Sequence, residues 1–262
     1  MRVSRPATVL ASLAAVLATT VALLGVVPGT TATAATTSSA ASARQDGPGY
    51  QQPRVGACRT ITYAQGAAVS NSTRPISCRR SHTVRTVAVP RLPAGVDWDA
   101  SDEKLGRVVT RACQPAVDRV LGRTARVRDL SAYSWFWFKP TRAQREHGAR
   151  WLRCDLTLRA GTHVLELRRD RRPVLGGLPH ADRVARCLTS DVVTTSCART
   201  HVWRATGTFV KKGGYDTAAL DRAGLRRCPG KTSGERFRWT YRSKTAWKLG
   251  DHVIVCYTRT RS

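Results

Sequence analysis

Cysteine and histidine are the side chains here that can ligate a metal, attack a carbonyl or move a proton, and they recur in one order at fixed spacing. A first set reads Cys58, then Cys78-Arg-Arg-Ser-His82, Cys113, Trp137, Gly148 and Cys154. A second set reads Cys187, then Cys197-Ala-Arg-Thr-His201, Cys228, Trp239, Gly250 and Cys256. In both, the histidine stands four residues after the second cysteine, and the tryptophan and glycine stand seventeen and six residues before the last one. Three spacings held twice identify a tandem duplication of one four-cysteine module, and whatever is essential must occur in both copies.

Three chemistries compete for these residues. Zinc would find two soft ligands in Cys78-x-x-x-His82 and two in Cys197-x-x-x-His201, but a tetrahedral site needs two further ligands and reduced thiolates. Disulfides suit eight cysteines in an exported chain, four per copy; three pairings are open within each copy. The economical one joins neighbours: Cys58 with Cys78, Cys113 with Cys154, Cys187 with Cys197, and Cys228 with Cys256. Acid–base catalysis would use His82 or His201, and it requires an orienting acid or a nucleophile repeated in register. An arginine, Arg85 or Arg204, stands three residues past each histidine instead. The histidines are therefore expected to fix a turn at a strand start, beside a disulfide, by hydrogen-bonding backbone.

The carboxylates add no site. Asp97, Asp99, Asp102 and Glu103 gather where a helix begins, which capping explains, and the second copy keeps only Asp216 there. No phosphate-cradling glycine loop, serine elbow or zinc-protease helix occurs, so no cofactor is expected and the chain does not read as an enzyme. Tyr133, Trp135, Phe136, Trp137 and Phe138 form the densest aromatic run. Alternation puts Tyr133, Trp135 and Trp137 on one face, which reads either as a strand buried on both sides or as a platform for sugar rings or bases.

Regular elements must hold these residues. Ser101 can cap a helix in which Leu105, Val108, Val109, Ala112 and Cys113 share one face, with Pro115 expected to kink or divide it before Gly122. Asp216 or Thr217 can cap a shorter helix running through Leu220, Ala223 and Leu225 to Cys228, so each third cysteine is helix-borne. Strands are expected over 83–90, 131–138, 149–159 and 164–168, and again over 202–210, 236–242 and 252–258. The fold class is α+β: two similar small modules, each a helix packed on a small antiparallel sheet and stapled by disulfides. The expected organisation is a signal peptide over 1–34, a disordered linker over 35–53, and modules over 54–175 and 176–262, as separate domains or one fused double domain.

The ends and the charge bound the setting. Arg2 and Arg5 precede an apolar stretch over 7–27 and the small-residue sites Ala32-Thr-Ala34 and Ala41-Ser-Ala43, the pattern of a secretory signal. An uncleaved anchor is the alternative, since about 20 apolar residues can just span a bilayer. No cysteine precedes Cys58, which excludes a lipid-modified N-terminal cysteine. Lys and Arg number 44 against 17 Asp and Glu, a formal charge of +27. Such a surface attracts polyanions without sequence preference.

Together these residues resemble the septum formation domain of exported actinobacterial proteins. The resemblance lies in a leading cysteine, a Cys-x-x-x-His step entering a strand, a helix-borne cysteine, and a closing stretch of Pro, Trp-x-x-Gly, then cysteine. Trp247-Lys-Leu-Gly250 and Cys256 match that closing stretch, and Pro140, Gly148 and Cys154 match it with Arg145 in the place of the tryptophan. The family usually carries an acid three residues after the histidine, where this chain has Arg85 and Arg204. Two copies over roughly 55–259 are expected, and the resemblance implies a cell-envelope protein linked to division, without defined catalytic residues. The expected partners are anionic envelope polymers or a division-site protein, with nucleic acid the weakest candidate. The rival reading is a wall-acting hydrolase with His82 or His201 as general base. Trp135, Trp137 and Trp247 are the candidate ligand contacts beside these histidines.

Overall fold

A computed structural model describes residues 46–169 and 175–260. The expected signal peptide lies outside the described residues. The expected linker over 35–53 does so only in part: from Asp46 onward the chain packs instead of trailing. Gly47 N donates to His147 O at 2.8 Å, Arg150 N to Pro48 O at 3.0 Å, and the Tyr50 ring stacks on His147 at 4.6 Å. Small polar composition misled here because backbone groups, which composition does not report, make the contacts.

The first half contains β1 (Cys58–Arg59), α1 (Tyr63–Ala67), β2 (Val84–Ala88), α2 (Asp102–Leu121), α3 (Ala125–Asp129), β3 (Tyr133–Phe138), α4 (Arg142–Glu146), β4 (Arg153–Ala160) and β5 (His163–Leu165). The second contains β6 (Arg186–Leu188), β7 (Thr194–Ser196), β8 (Trp203–Val210), α5 (Thr217–Arg227), β9 (Phe237–Tyr241), α6 (Lys244–Lys248) and β10 (Val253–Arg259). Each half builds an antiparallel sheet, β1-β2-β4-β3 with β5 on β4, and β7-β6-β8-β10-β9. The α+β class is thus observed.

Helix α2 starts where Ser101 Oγ accepts from Lys104 N, and it stops at Gly122, whose φ of 65° few other residues adopt. Leu105, Val109, Cys113, Ala116, Val117 and Leu121 form its buried stripe. The expected break at Pro115 is absent. Pro115 lies on the exposed face, where water can satisfy the carbonyl its missing N–H leaves unpaired, while the stripe on the opposite face keeps the helix in place. Strand β4 begins at Arg153, not Ala149, because Pro90 offers no N–H and the pairing beyond it thins to a bridge between Arg91 and Trp151.

The two sheets pair their strands in matching register. Cys58 faces Arg85 and Cys187 faces Arg204. Trp137 faces Cys154 and Trp239 faces Cys256. Thr86 faces Asp155 and Ala205 faces Tyr257, and beside each of these pairs the register slips, between Thr86 and Ala88 and between Cys256 and Tyr257. Four disulfides fasten this frame. Cys113–Cys154 and Cys228–Cys256 tie a helix to β4 and β10, while Cys58–Cys78 ties the loop before His82 to the edge strand β1 and Cys187–Cys197 ties the loop before His201 to β6, which lies between β7 and β8.

The halves share a core. Val184 packs with Val117, Leu121, Tyr133, Leu156 and Leu158 of the first half, and Leu130 packs among Leu188, Ala205, Val255 and Tyr257 of the second. Ala132 N donates to Val184 O at 2.8 Å and Arg186 N to Leu130 O at 2.9 Å. Arg242 of β9's end reaches Asp129 of α3 at 3.0 Å and Asp251 at 2.8 Å, while burial pushes the Asp129 carboxyl above its ordinary range against the pull of Arg242. Among the described residues no helix is long and apolar enough to cross a membrane.

Candidate functional site

The repeated Cys–His steps are built as turns. His82 is 1% exposed; its Nδ1 lies 2.9 Å from Arg80 O, and its own carbonyl accepts from Leu167 N at 2.9 Å. His201 repeats the contact, Nδ1 to Arg199 O at 2.8 Å, in a half-buried setting. The ligand atoms of Cys187, Cys197 and His201 lie within 4.8 Å of one another. Both sulfurs are joined in a disulfide, so neither is a thiolate and the trio is not a competent zinc set. Among the described residues no carboxylate bonds to His82 or His201; the imidazole that has one is His147, 2.9 Å from Asp46 Oδ1.

The tryptophans are packed against their neighbours. Trp135 and Trp137 are half-buried against the stripe of α2, and Trp135 Nε1 donates to Gln114 Oε1 at 3.1 Å. Phe136 and Phe138, on the other face of β3, pack with Ile61 and Val84. Trp247 is 2% exposed, donates to Gly213 O at 2.8 Å and stacks on His252. The aromatic strand is thus covered on both faces.

What the structure assembles instead is a charged cluster under the first sheet. Arg153 and Asp155 flank Cys154 on β4, and Arg59 follows Cys58 on β1; they are 2%, 0% and 4% exposed. Arg153 Nη1 and Nη2 donate to Asn71 O and Oδ1, both at 3.0 Å, and its guanidinium lies over the Phe138 ring at 4.2 Å. Arg153 Nε stands 2.9 Å from Asp155 Oδ2 as an ion pair whose angle does not complete a hydrogen bond. Arg59 donates through Nε to Thr73 O and through Nη1 to Thr86 Oγ1, and the Thr86 hydroxyl donates in turn to Asp155 Oδ1 at 2.8 Å.

Two guanidinium groups therefore share one buried carboxylate. Burial holds Arg153 down to about 10, with Asp155 pulling it back up, and lowers Arg59 in the same way. Burial also pushes the Asp155 carboxyl upward, against Arg153, Thr86 and Arg59. The two arginines fasten the 71–73 loop, which walls a cleft of about 930 Å³. Five arginines, Arg54, Arg59, Arg74, Arg85 and Arg153, line that cleft, and no acid does. In the second half Arg204 is ion-paired with Asp182.

These residues were missed at the level of sequence because a charge in a strand ordinarily reads as its solvent face. The available signal was Arg153-Cys154-Asp155 inside the otherwise apolar run from Trp151 to Leu158, where both faces are buried.

No curated protein and no solved structure matches the chain. The family model described as septum formation matches residues 98–223, from the approach to α2 through most of α5.

Proposed function

We propose that this chain is an exported, non-catalytic protein of the cell envelope, associated with septum formation, that binds anionic wall polymers or a division-site partner through its positive surface, and that its halves are two copies of one septum-formation-like module. Export is supported by the charged and apolar pattern of residues 1–34 and by four disulfides, which persist in oxidising compartments. The link to division is supported by the family match, and the two-copy reading by the common strand order and register. The observation that carries the binding role is a surplus of arginine gathered around one cleft on a chain of formal charge +27. A polymer of phosphates or carboxylates neutralises that charge and releases counterions.

Co-sedimentation of the purified protein with cell wall, intact or stripped of anionic polymers, tests this at low and high salt. Binding is expected to intact wall, to fall at least tenfold between 50 and 200 mM salt if about three or more contacts are neutralised, and to be lost on stripped wall. Binding that ignores both salt and stripping would overturn it.

A further inference from the structure

The two sheets hold the same positions with opposite chemistry. Beside the leading cysteine stands Arg59 on β1 but Leu188 on β6; facing one another across the central strands stand Thr86 and Asp155 in the first sheet, Ala205 and Tyr257 in the second; before the last cysteine stands Arg153 on β4 but Val255 on β10. In the second sheet these four, with Leu130, form an apolar core. The frame therefore accepts ordinary hydrophobic packing at all four positions, and burying charge there confers no general advantage in stability. In the first sheet three of these positions, Arg59, Thr86 and Arg153, line the arginine-rich cleft, with Asp155 buried beneath them.

Resting on the reading of this protein as a binder of anionic polymers, we propose that the cleft is the specific site and that it takes a segment of a phosphodiester chain of polyol type. Arg59 and Arg153 lie at the floor over the buried Asp155, and Arg54 and Arg74 add two exposed guanidinium groups at its walls. The exposed planar forks of Arg54 and Arg74 suit phosphate oxygens, and the positive charge held below them in low dielectric strengthens the attraction. Ser72, Thr73 and Ser77 bring hydroxyls, and Gln144 an amide, to the same lining, which suits the free hydroxyls of a polyol. A single-stranded nucleic acid would instead be expected to use aromatic faces on which bases stack. The one aromatic residue in the lining, Trp151, is 3% exposed and its Nε1 donates to Tyr50 O at 2.9 Å.

The test uses a fluorescein-labelled oligo(glycerol phosphate), titrated by anisotropy at 0.15 M salt into the full-length protein and two double variants. Arg54→Gln with Arg74→Gln alters exposed residues of the cleft; Arg111→Gln with Arg222→Gln removes the same charge from exposed sites on α2 and α5. The cleft pair is expected to weaken binding at least fivefold and the control pair less than twofold, with unchanged melting temperatures. Equal losses from both pairs would overturn the cleft while leaving diffuse polyanion binding intact. No binding by the parent protein in low salt would overturn the polyanion reading itself. Polyglutamate or single-stranded DNA competing as well as unlabelled oligo(glycerol phosphate) would overturn the assigned ligand class.

Discussion

Asp155→Ala is expected to destabilise the protein by about 3–5 kcal/mol, because it strips the counter-charge from two guanidinium groups that cannot reach bulk water. The loss arises from what remains: Arg153 keeps its bonds to Asn71, and Arg59 keeps Thr73 and Thr86, so both stay buried and charged. Exchanging the whole set for the second sheet's residues, Arg59→Leu, Thr86→Ala, Arg153→Val and Asp155→Tyr, is expected to cost less than Asp155→Ala alone, since no uncompensated charge is left behind. Urea unfolding of both variants decides the matter. A cost near zero for Asp155→Ala would mean that the carboxylate does not hold the cluster.

Replacing Cys113 and Cys154 together by alanine is expected to remove about 4 kcal/mol, the largest effect among the four bridges, because this bridge closes the longest loop. Its sequence separation is 41, against 28 for Cys228–Cys256, 20 for Cys58–Cys78 and 10 for Cys187–Cys197. Chain-entropy reasoning places the shortest at about 2.7 kcal/mol, so the melting temperatures of the four alanine pairs should fall in the order of their loops. The Cys113–Cys154 pair also sits among Leu92, Val109 and Leu152, where lost sulfur leaves a cavity and adds to the cost. Equal costs for all four pairs would show that loop length does not govern their contribution.

The parts legible in the sequence were those with local periodicity or exact spacing. Leu105, Val109 and Cys113 announced α2 by recurring on one helical face, and Ser101 announced its start. The duplicated cysteine order pointed to a shared frame, and the equal registers of Cys58 with Arg85 and Cys187 with Arg204 are consistent with it. Short elements such as α4 and α6 escaped because five residues carry too few apolar positions to show a period, although their caps, Thr141 and Ser243, occur at matching places. The cleft escaped for a different reason. Arg59, Thr86 and Asp155 are separated by 27 and 69 residues and meet only through strand pairing, so no window of sequence contains them. Comparing the two halves position by position would have exposed them, since Arg153-Cys154-Asp155 stands against Val255-Cys256-Tyr257.

On the proposed function, the repeated histidines are framework and positive charge does the binding. The most direct test is the double variant His82→Gln, His201→Gln, measured side by side for wall co-sedimentation, release of soluble wall fragments, and melting temperature. Unchanged salt-sensitive binding, no fragment release by either protein, and a lower melting temperature are expected, because His82 is buried and braces the turn at Arg80. Fragment release by the parent protein that disappears in the variant, at an unchanged melting temperature, would contradict the proposed function and assign the histidines to catalysis.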